Sequence, residues 1–286
     1  MIRSVFIMPH PPLMVPGIGD AGEIKDTIRA ARKAADEIAL TKPETVIVIT
    51  PHAPSFRDFL YLSKSQVLKG SFSNFGRPDI NFTFENDITF VEELINVSAQ
   101  EKLSIGTLDD KKLSKYGIVD VLDHGSMVPL YFIQEKLQGF KIVIVPIAGF
   151  SYSHLYKTGE CIKKASEKAG VDSVVIASAD LSHKLKEDGP YGYSKEGPLF
   201  DRLVVEYISN NNIDGLINMD DKLVKKAAMC GLPSIVTGYG CLAGCTLESE
   251  VFSYQGPYGV GYTVCKIIPT NNINTATEMS VKGRIK

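Results

Sequence analysis

Long apolar runs are missing from this 286-residue chain. None approaches the ~20 residues needed to span a bilayer, which excludes a helical membrane anchor. No leader is recognisable either, because the apolar run of MIRSVFIMPHPP breaks at Pro9 and His10. An excess of one charge is also lacking. Thirty-one Lys and Arg against 33 Asp and Glu leave a net charge of −2, with no electrostatic footprint for nucleic acid. Cysteine is scarce. The five cysteines (Cys161, Cys230, Cys241, Cys245 and Cys265) are odd in number and lack paired metal-ribbon spacing. They read as reduced thiols of a cytoplasmic protein, with Cys241 and Cys245 on one helix. Internal repeats and dividing linkers are absent, so residues 1–270 form one domain in this reading. The polar tail 271–286 is expected to be mobile.

What is present is a series of short, continuous apolar runs. Ser4–Met8, Thr45–Ile49, Lys141–Ile147 and Ser173–Ala179 have the length and β-branching of buried strands. Between the first two, Ile24, Ile28, Ala31, Ala35 and Ile38 recur at helical spacing, and Asp20 with Glu23 resembles a capping box. The first forty-nine residues therefore read β-α-β, a unit that makes parallel strands with a right-handed crossover. Further helices are expected at about 88–103, from Ser153 as cap to Ala169, at 198–209, 222–229 and 232–242. Phe59–Leu62 reads as a possible strand, 70–87 as an excursion with a short strand at Ile80–Phe84, and 248–267 as a closing hairpin. The sum is an α/β fold with a central mixed, mostly parallel sheet flanked by helices.

Histidines follow these strands. His10 comes directly after the first, His52 after the second and His183 after Ser173–Ala179, while His124 opens a helix. The carboxyl edge of an open α/β sheet is where ligands bind, and the β-α-β unit brings His10 and His52 to the same edge. His154, in the first turn of a helix, reads as exposed. Imidazole is the commonest metal ligand and titrates near neutral pH. Two histidines with one anionic ligand hold a divalent metal and leave positions open for substrate: with a carboxylate, as in non-haem Fe(II) oxygenases, or with Cys, as in open zinc sites. His183 is the best-placed general base, with Asp180 and Ser182 beside it and the polar loop Lys184–Gly197 as a lid after it. Asp180 either orients His183, approaches the metal or caps a helix. Asp123 orients His124 or caps its helix. Tyr191 and Tyr193 read as exposed loop residues. The stretch YQGPYGVGY precedes a strand and does not follow the phosphate-loop pattern, so it is not read as a nucleotide cradle.

Four motifs in order, P-H-P-P, T-P-H-A-P, L-D-H-G-S-M-V-P-L and S-A-D-L-S-H, resemble the LigB-like class III extradiol dioxygenase superfamily. Within it, the chain is most similar to the LigB-like domain of AmmeMemoRadiSam system proteins, relatives of Memo; YQGPYGVGY is also similar to that branch. The resemblance covers about residues 4–268. It implies a single three-layer αβα domain with a metal at the sheet edge. In the ring-opening enzymes this is Fe(II), held by two histidines and a glutamate. His10 and His52 match the two histidines, His183 the base and His124 another active-site histidine. Where those enzymes carry glutamate, this chain reads Ala228-Met229-Cys230-Gly231. The Memo-like branch uses a Cys in this region, with the histidines matching His52 and His124. The expected ligands are His10, His52 and Cys230, with His124 able to replace or join them; His183, His124 and Asp180 are the expected catalytic residues. The implied activity is that of an Fe(II)- and O2-dependent oxidoreductase acting on a small aromatic or chelating substrate. Two alternatives stand beside it: a zinc-dependent hydrolase, and a metal-binding component of a radical-SAM modification system with its partner proteins. A homodimer is the default assembly.

Overall fold

The computed structural model describes residues 1–270. In chain order its first half comprises β1 (Ile2–Met8), α1 (Lys25–Thr41), β2 (Thr45–Thr50), β3 (Leu60–Tyr61), β4 (Val67–Phe72), β5 (Arg77–Glu85), α2 (Ile88–Gln100), β6 (Ile105–Gly106), α3 (Asp110–Tyr116) and α4 (His124–Gln134). The second half comprises β7 (Lys141–Pro146), α5 (Tyr152–Ala169), β8 (Ser173–Ser178), α6 (Glu196–Ser209), α7 (Ile213–Ile217), α8 (Asp221–Ala227), α9 (Leu232–Gly240), β9 (Thr246–Gln255) and β10 (Tyr262–Thr270).

Six strands form the central sheet in the order β7-β2-β8-β1-β10-β9. The four strands read from buried apolar runs are parallel, and the closing hairpin β9–β10 adds antiparallel strands at the edge. The sheet is thus mixed and mostly parallel, as expected. The unit β1-α1-β2 does make parallel strands, but β8 lies between them, paired with both.

Every residue of β2 and β8 is buried, because helices cover both faces. Alternation along the strands divides the core in two. Val5, Ile7, Ile47, Ile49, Val175 and Ala177 pack with residues of α2, α5, α6 and α9. Phe6, Met8, Val46, Val48, Val174 and Ile176 pack with α1, α4 and the β4–β5 hairpin. Each fully buried Val or Ile contributes roughly 1.5–3 kcal/mol. α1 lays a stripe of Ala30, Ala31, Ala34, Ala35 and Ile38 on the sheet.

Several local expectations give way to tertiary contacts. α1 starts at Lys25 with no side-chain cap. Asp20 accepts from Gly22 N in a loop turn (2.8 Å), and the Glu23 N–H donates to the Tyr258 hydroxyl (3.2 Å), so they form no capping box. Gln255 of β9 instead accepts from Thr27 N (2.8 Å), satisfying an orphan N–H of the first turn. Ser151, not Ser153, caps α5. α2 ends at Gln100 rather than near 103. Cys241 is the C-cap of α9 and Cys245 lies in the turn beyond, so the two do not share a helix. The excursion 70–87 is mostly the β4–β5 hairpin, with Phe72, Phe82 and Phe84 buried. The stretch at Phe59–Leu62 contracts to β3, which pairs with β6. No helix among the described residues is long and apolar enough to cross a membrane. The tail 271–286 lies outside the described residues.

Candidate metal centre

Three neighbouring parallel strands each deliver a polar residue two positions past their carboxyl ends: His10 after β1, Asp180 after β8 and His52 after β2. His10 is 2% exposed, and its backbone N–H donates to Asp180 Oδ1 (2.9 Å). Its Nδ1 lies 2.8 Å from Ser178 Oγ. The Ser178 hydroxyl donates its only proton to the Gly125 carbonyl (2.5 Å), so towards His10 it can only accept. His10 Nδ1 therefore carries the proton, and its Nε2 presents a lone pair. That Nε2 is 3.0 Å from His52 Nε2 and 3.5 Å from Cys230 Sγ. The three donor atoms all lie within 4.8 Å of one another.

His52 is exposed at the mouth. Thr50 Oγ1 accepts from His52 N (3.2 Å) and donates to Asp123 Oδ1 (2.7 Å). Asp123 also caps α4, accepting from Ser126 N and Ser126 Oγ; of its two expected roles it takes the cap and does not bond to the His124 ring. The His124 ring lies against His52 at 4.2 Å between centroids and meets Phe75 of the β4–β5 turn edge-on at 5.8 Å. It stands beside the three-atom cluster rather than within it.

Cys230 follows α8 after a left-handed turn at Ala228 (φ 53°). Gly231 N donates to the Asp180 carbonyl (2.9 Å), an approach that only glycine permits: a Cβ there would lie 2.5 Å from that oxygen. The His183 loop is tied to the same segment. Ala227 O accepts both His183 N (3.0 Å) and Ser182 Oγ (2.9 Å), while Asp201 Oδ1 accepts Ser182 N (2.7 Å). His183 Nε2 is buried and without a partner among the described residues, and Tyr191 stacks on the ring at 4.9 Å. Tyr191 is 53% exposed, so the loop tyrosine both meets solvent and covers the His183 ring. Asp180 does not orient His183. Its carboxylate serves His10, with Oδ2 3.7 Å from Nε2. His154 is exposed in the first turn of α5.

Burial drives these groups towards their neutral forms. It holds His10 well below the ordinary imidazole value, helped by the charges of His52, His124 and His183. It also lowers His52, His124 and His183. Burial lifts the Asp180 carboxyl to about 7. The Cys230 thiol is pushed up by burial and then by Asp180. A pocket of unpaired nitrogen lone pairs, a thiol and a carboxyl lacks one thing, a local positive charge. A bound cation would keep the imidazoles neutral, as ligation requires, and would reverse the preference only of the thiol and the carboxyl, favouring thiolate and carboxylate. The donor set of two imidazoles and one sulfur suits Zn or Fe(II). Two clefts flank the cluster. One, of about 560 Å³, is lined by His52, Phe56, Tyr116 and Val119; the other, of about 590 Å³, by Asn74, Phe75, Asn81 and His124.

Sequence reading assigns no role to Ser178 or Phe75. Ser178 lies inside S-A-D-L-S-H and ends a strand, a signal that was available. Phe75 carried none, because its place depends on the hairpin.

The model of the family described as the catalytic LigB subunit of aromatic ring-opening dioxygenase matches residues 4–265. A protein of Clostridium acetobutylicum is 34% identical over 273 residues, covering 95% of this chain and 58% of its own. A MEMO1 family protein of Pyrococcus furiosus is 28% identical over 194 residues, 62% of each chain. The matches thus span about three fifths of the length of these curated relatives. An uncharacterized protein from Escherichia coli K12 shares the fold, with a TM-score of 0.62 at 11% identity, over 93% of this chain and 99% of that one.

Proposed function

The chain belongs to the LigB family, and from that premise we propose that it is a metal-dependent oxidoreductase with His10, His52 and Cys230 as ligands. The observation that carries this reading is the convergence of His10 Nε2, His52 Nε2 and Cys230 Sγ at the edge of the sheet. Fe(II) held there would supply redox chemistry with O2 on a small chelating substrate, a catechol being the simplest, whereas Zn would supply a Lewis acid. The rest is the chain's own. His183, neutral through burial, takes a proton from a substrate hydroxyl at its unpartnered Nε2. Tyr191 shields that imidazole from water. His124, between His52 and Phe75, lines the side of the larger cleft and orients a ring entering it.

A second reading is favoured by Cys230 itself. A thiolate in place of the carboxylate of ring-opening enzymes, with a MEMO1 family relative, supports a metal-binding component of a radical-SAM modification system.

Metal analysis tests the site. The wild type should hold one metal per chain, and His52→Ala and Cys230→Ala should each hold almost none; metal retained in both variants would sink the ligand assignment. Anaerobic Fe(II) reconstitution with catechol, followed by an oxygen electrode, tests the chemistry. Oxygen uptake supports the oxidoreductase. Turnover with Zn and no uptake supports a hydrolase. Co-purification with a radical-SAM protein, without turnover, supports the second reading.

A further inference from the structure

The cleft on the His52 side of the centre, about 560 Å³ in volume, takes no part in the chemistry above. One of its walls is the segment that follows His52. Ser55 Oγ donates to Ile147 O (2.7 Å) and Gly149 N donates to Phe56 O (2.9 Å), which ties that segment to the chain just past β7. The opposite wall is the stretch 116–121, which follows α3. Tyr116 meets the Phe56 ring edge-on at 5.4 Å between centroids, so the two walls touch through aromatic rings.

The second wall is built inside out. Asp120 turns inward, and its carboxylate accepts from the hydroxyls of Tyr61 (2.8 Å), Ser63 (2.7 Å) and Ser65 (2.8 Å). Its neighbours Val119 and Val121 are instead 67% and 57% exposed, and Tyr116 is 53% exposed; all three line the cleft. Folding ordinarily buries the valines and leaves the carboxylate in water. α3, which leads into this wall, buries none of its residues. Apolar side chains gathered at one open cleft mark a binding surface, unlike the scattered exposure that is normal for a protein. The cleft is also continuous with the metal centre. His52 lines it, and Val121 and Asp123 border both this cleft and the one beside His124. Its size lies within the roughly 300–1,000 Å³ of ligand pockets.

We propose that this cleft is a second subsite, in which Phe56, Tyr116, Val119 and Val121 hold an uncharged apolar arm of a substrate whose chelating end reaches the His10–His52–Cys230 centre. The arm is an aromatic or branched aliphatic group, because two rings and two pairs of valine methyls face it. A charged arm has no counterpart there. Among the described residues the lining holds no Lys or Arg, and its one carboxylate, Asp123, has its oxygens engaged by Thr50 and Ser126. The proposal rests on the metal reading above and enlarges its substrate from a simple diol to one carrying an apolar substituent.

The test uses the full chain loaded with Co(II), without oxygen, and titrated with catechol, 3-tert-butylcatechol and 4-tert-butylcatechol, followed by visible absorption. At least one of the substituted diols should bind about tenfold more tightly than catechol, the gain for burying roughly two methylene groups. In the double variant Tyr116→Ser, Val119→Ser that ratio should fall to within about twofold. Val119→Leu, which keeps the wall apolar, should retain it. So should Leu40→Ser, which removes an exposed apolar side chain from α1. Equal affinity of the wild type for all three diols would overturn the proposal, as would a ratio that survives in the double variant or falls equally in Leu40→Ser. A wild type that holds Co(II) but binds none of the diols refutes chelation at the centre, and failure to hold Co(II) refutes the metal reading itself; the proposal falls with either.

Discussion

His10 and His52 are positioned by the core, whereas His183 and Cys230 are positioned by each other. The first pair sits two residues beyond strands that both pair with the wholly buried β8, and Ser178 and Thr50, at the ends of the wholly buried β8 and β2, hold their ring or backbone. The second pair lies on loops joined through shared backbone atoms: Ala227 O takes two donors from the His183 loop, and Asp180 O takes Gly231 N beside Cys230. One half of the site is therefore set by the sheet, while the other depends on a few hydrogen bonds over Asp201 and α8. Substitutions at strand ends should change metal affinity, and substitutions under the loops should change stability and proton handling.

The largest effect is expected under the loop. Asp201 accepts from Ser182 N and from the Tyr254 hydroxyl, and burial lifts its carboxyl to about 7. Unfolded, the group titrates near 4. Between these values the folded protein keeps a proton that the unfolded chain has lost, so this group's contribution to stability falls as pH rises through the window. The full span is worth up to roughly 4 kcal/mol. Asp201→Asn removes that slope. Urea unfolding between about pH 4 and pH 7 should show the wild type losing stability relative to the variant; parallel profiles would place the titration elsewhere.

A smaller effect is expected at a strand end. Ser178→Ala removes the acceptor that fixes the His10 proton on Nδ1. Metal affinity should fall about 10- to 100-fold, the usual scale for a partner of a ligating histidine, with the fold intact by circular dichroism. Competition with a chromophoric chelator measures it, and unchanged affinity would break the proposed division of labour. The smallest effect belongs to the lid. Tyr191→Ala exposes one face of His183, whose pKa is lowered first by burial and then by His52. Its titration, followed by imidazole NMR, should move upward towards the ordinary value. A downward movement would mean that Tyr191 does not desolvate the ring.

The same contrast governs how much of the molecule could be read from its residues. TVIVIT, KIVIVP and SVVIAS announce strands because burial on both faces demands continuous apolar runs. His10 and His52, each just past a strand of one β-α-β unit, then share an edge, because such a unit makes its strands parallel. Loop-borne contacts carry no comparable pattern. The N-terminus of α1 is satisfied by Gln255 from the far end of the chain, so the local Asp20–Glu23 pattern misleads. The β4–β5 hairpin buries Phe72, Phe82 and Phe84 but interrupts its pattern with Gly76 and Pro78, and only in the folded chain does Phe75 meet His124. The stacking of Tyr191 on His183 is likewise invisible in a run of polar loop residues.

The strand order also dictates when the site can exist. β8 fills the gap between β1 and β2, so while the chain is being synthesised the two histidine-bearing strands have no common neighbour until residue 178 has emerged. Until then each carries an open edge of the kind that invites mispairing. Cys230 arrives later still. The pairings that draw the donors together are long-range, which makes them slow to form. A nascent chain cut short between His52 and β8 therefore carries both histidines without the strand that brings them together. The two histidines gain their common neighbour only with the last parallel strand, and the sulfur of Cys230 lies further along the chain still.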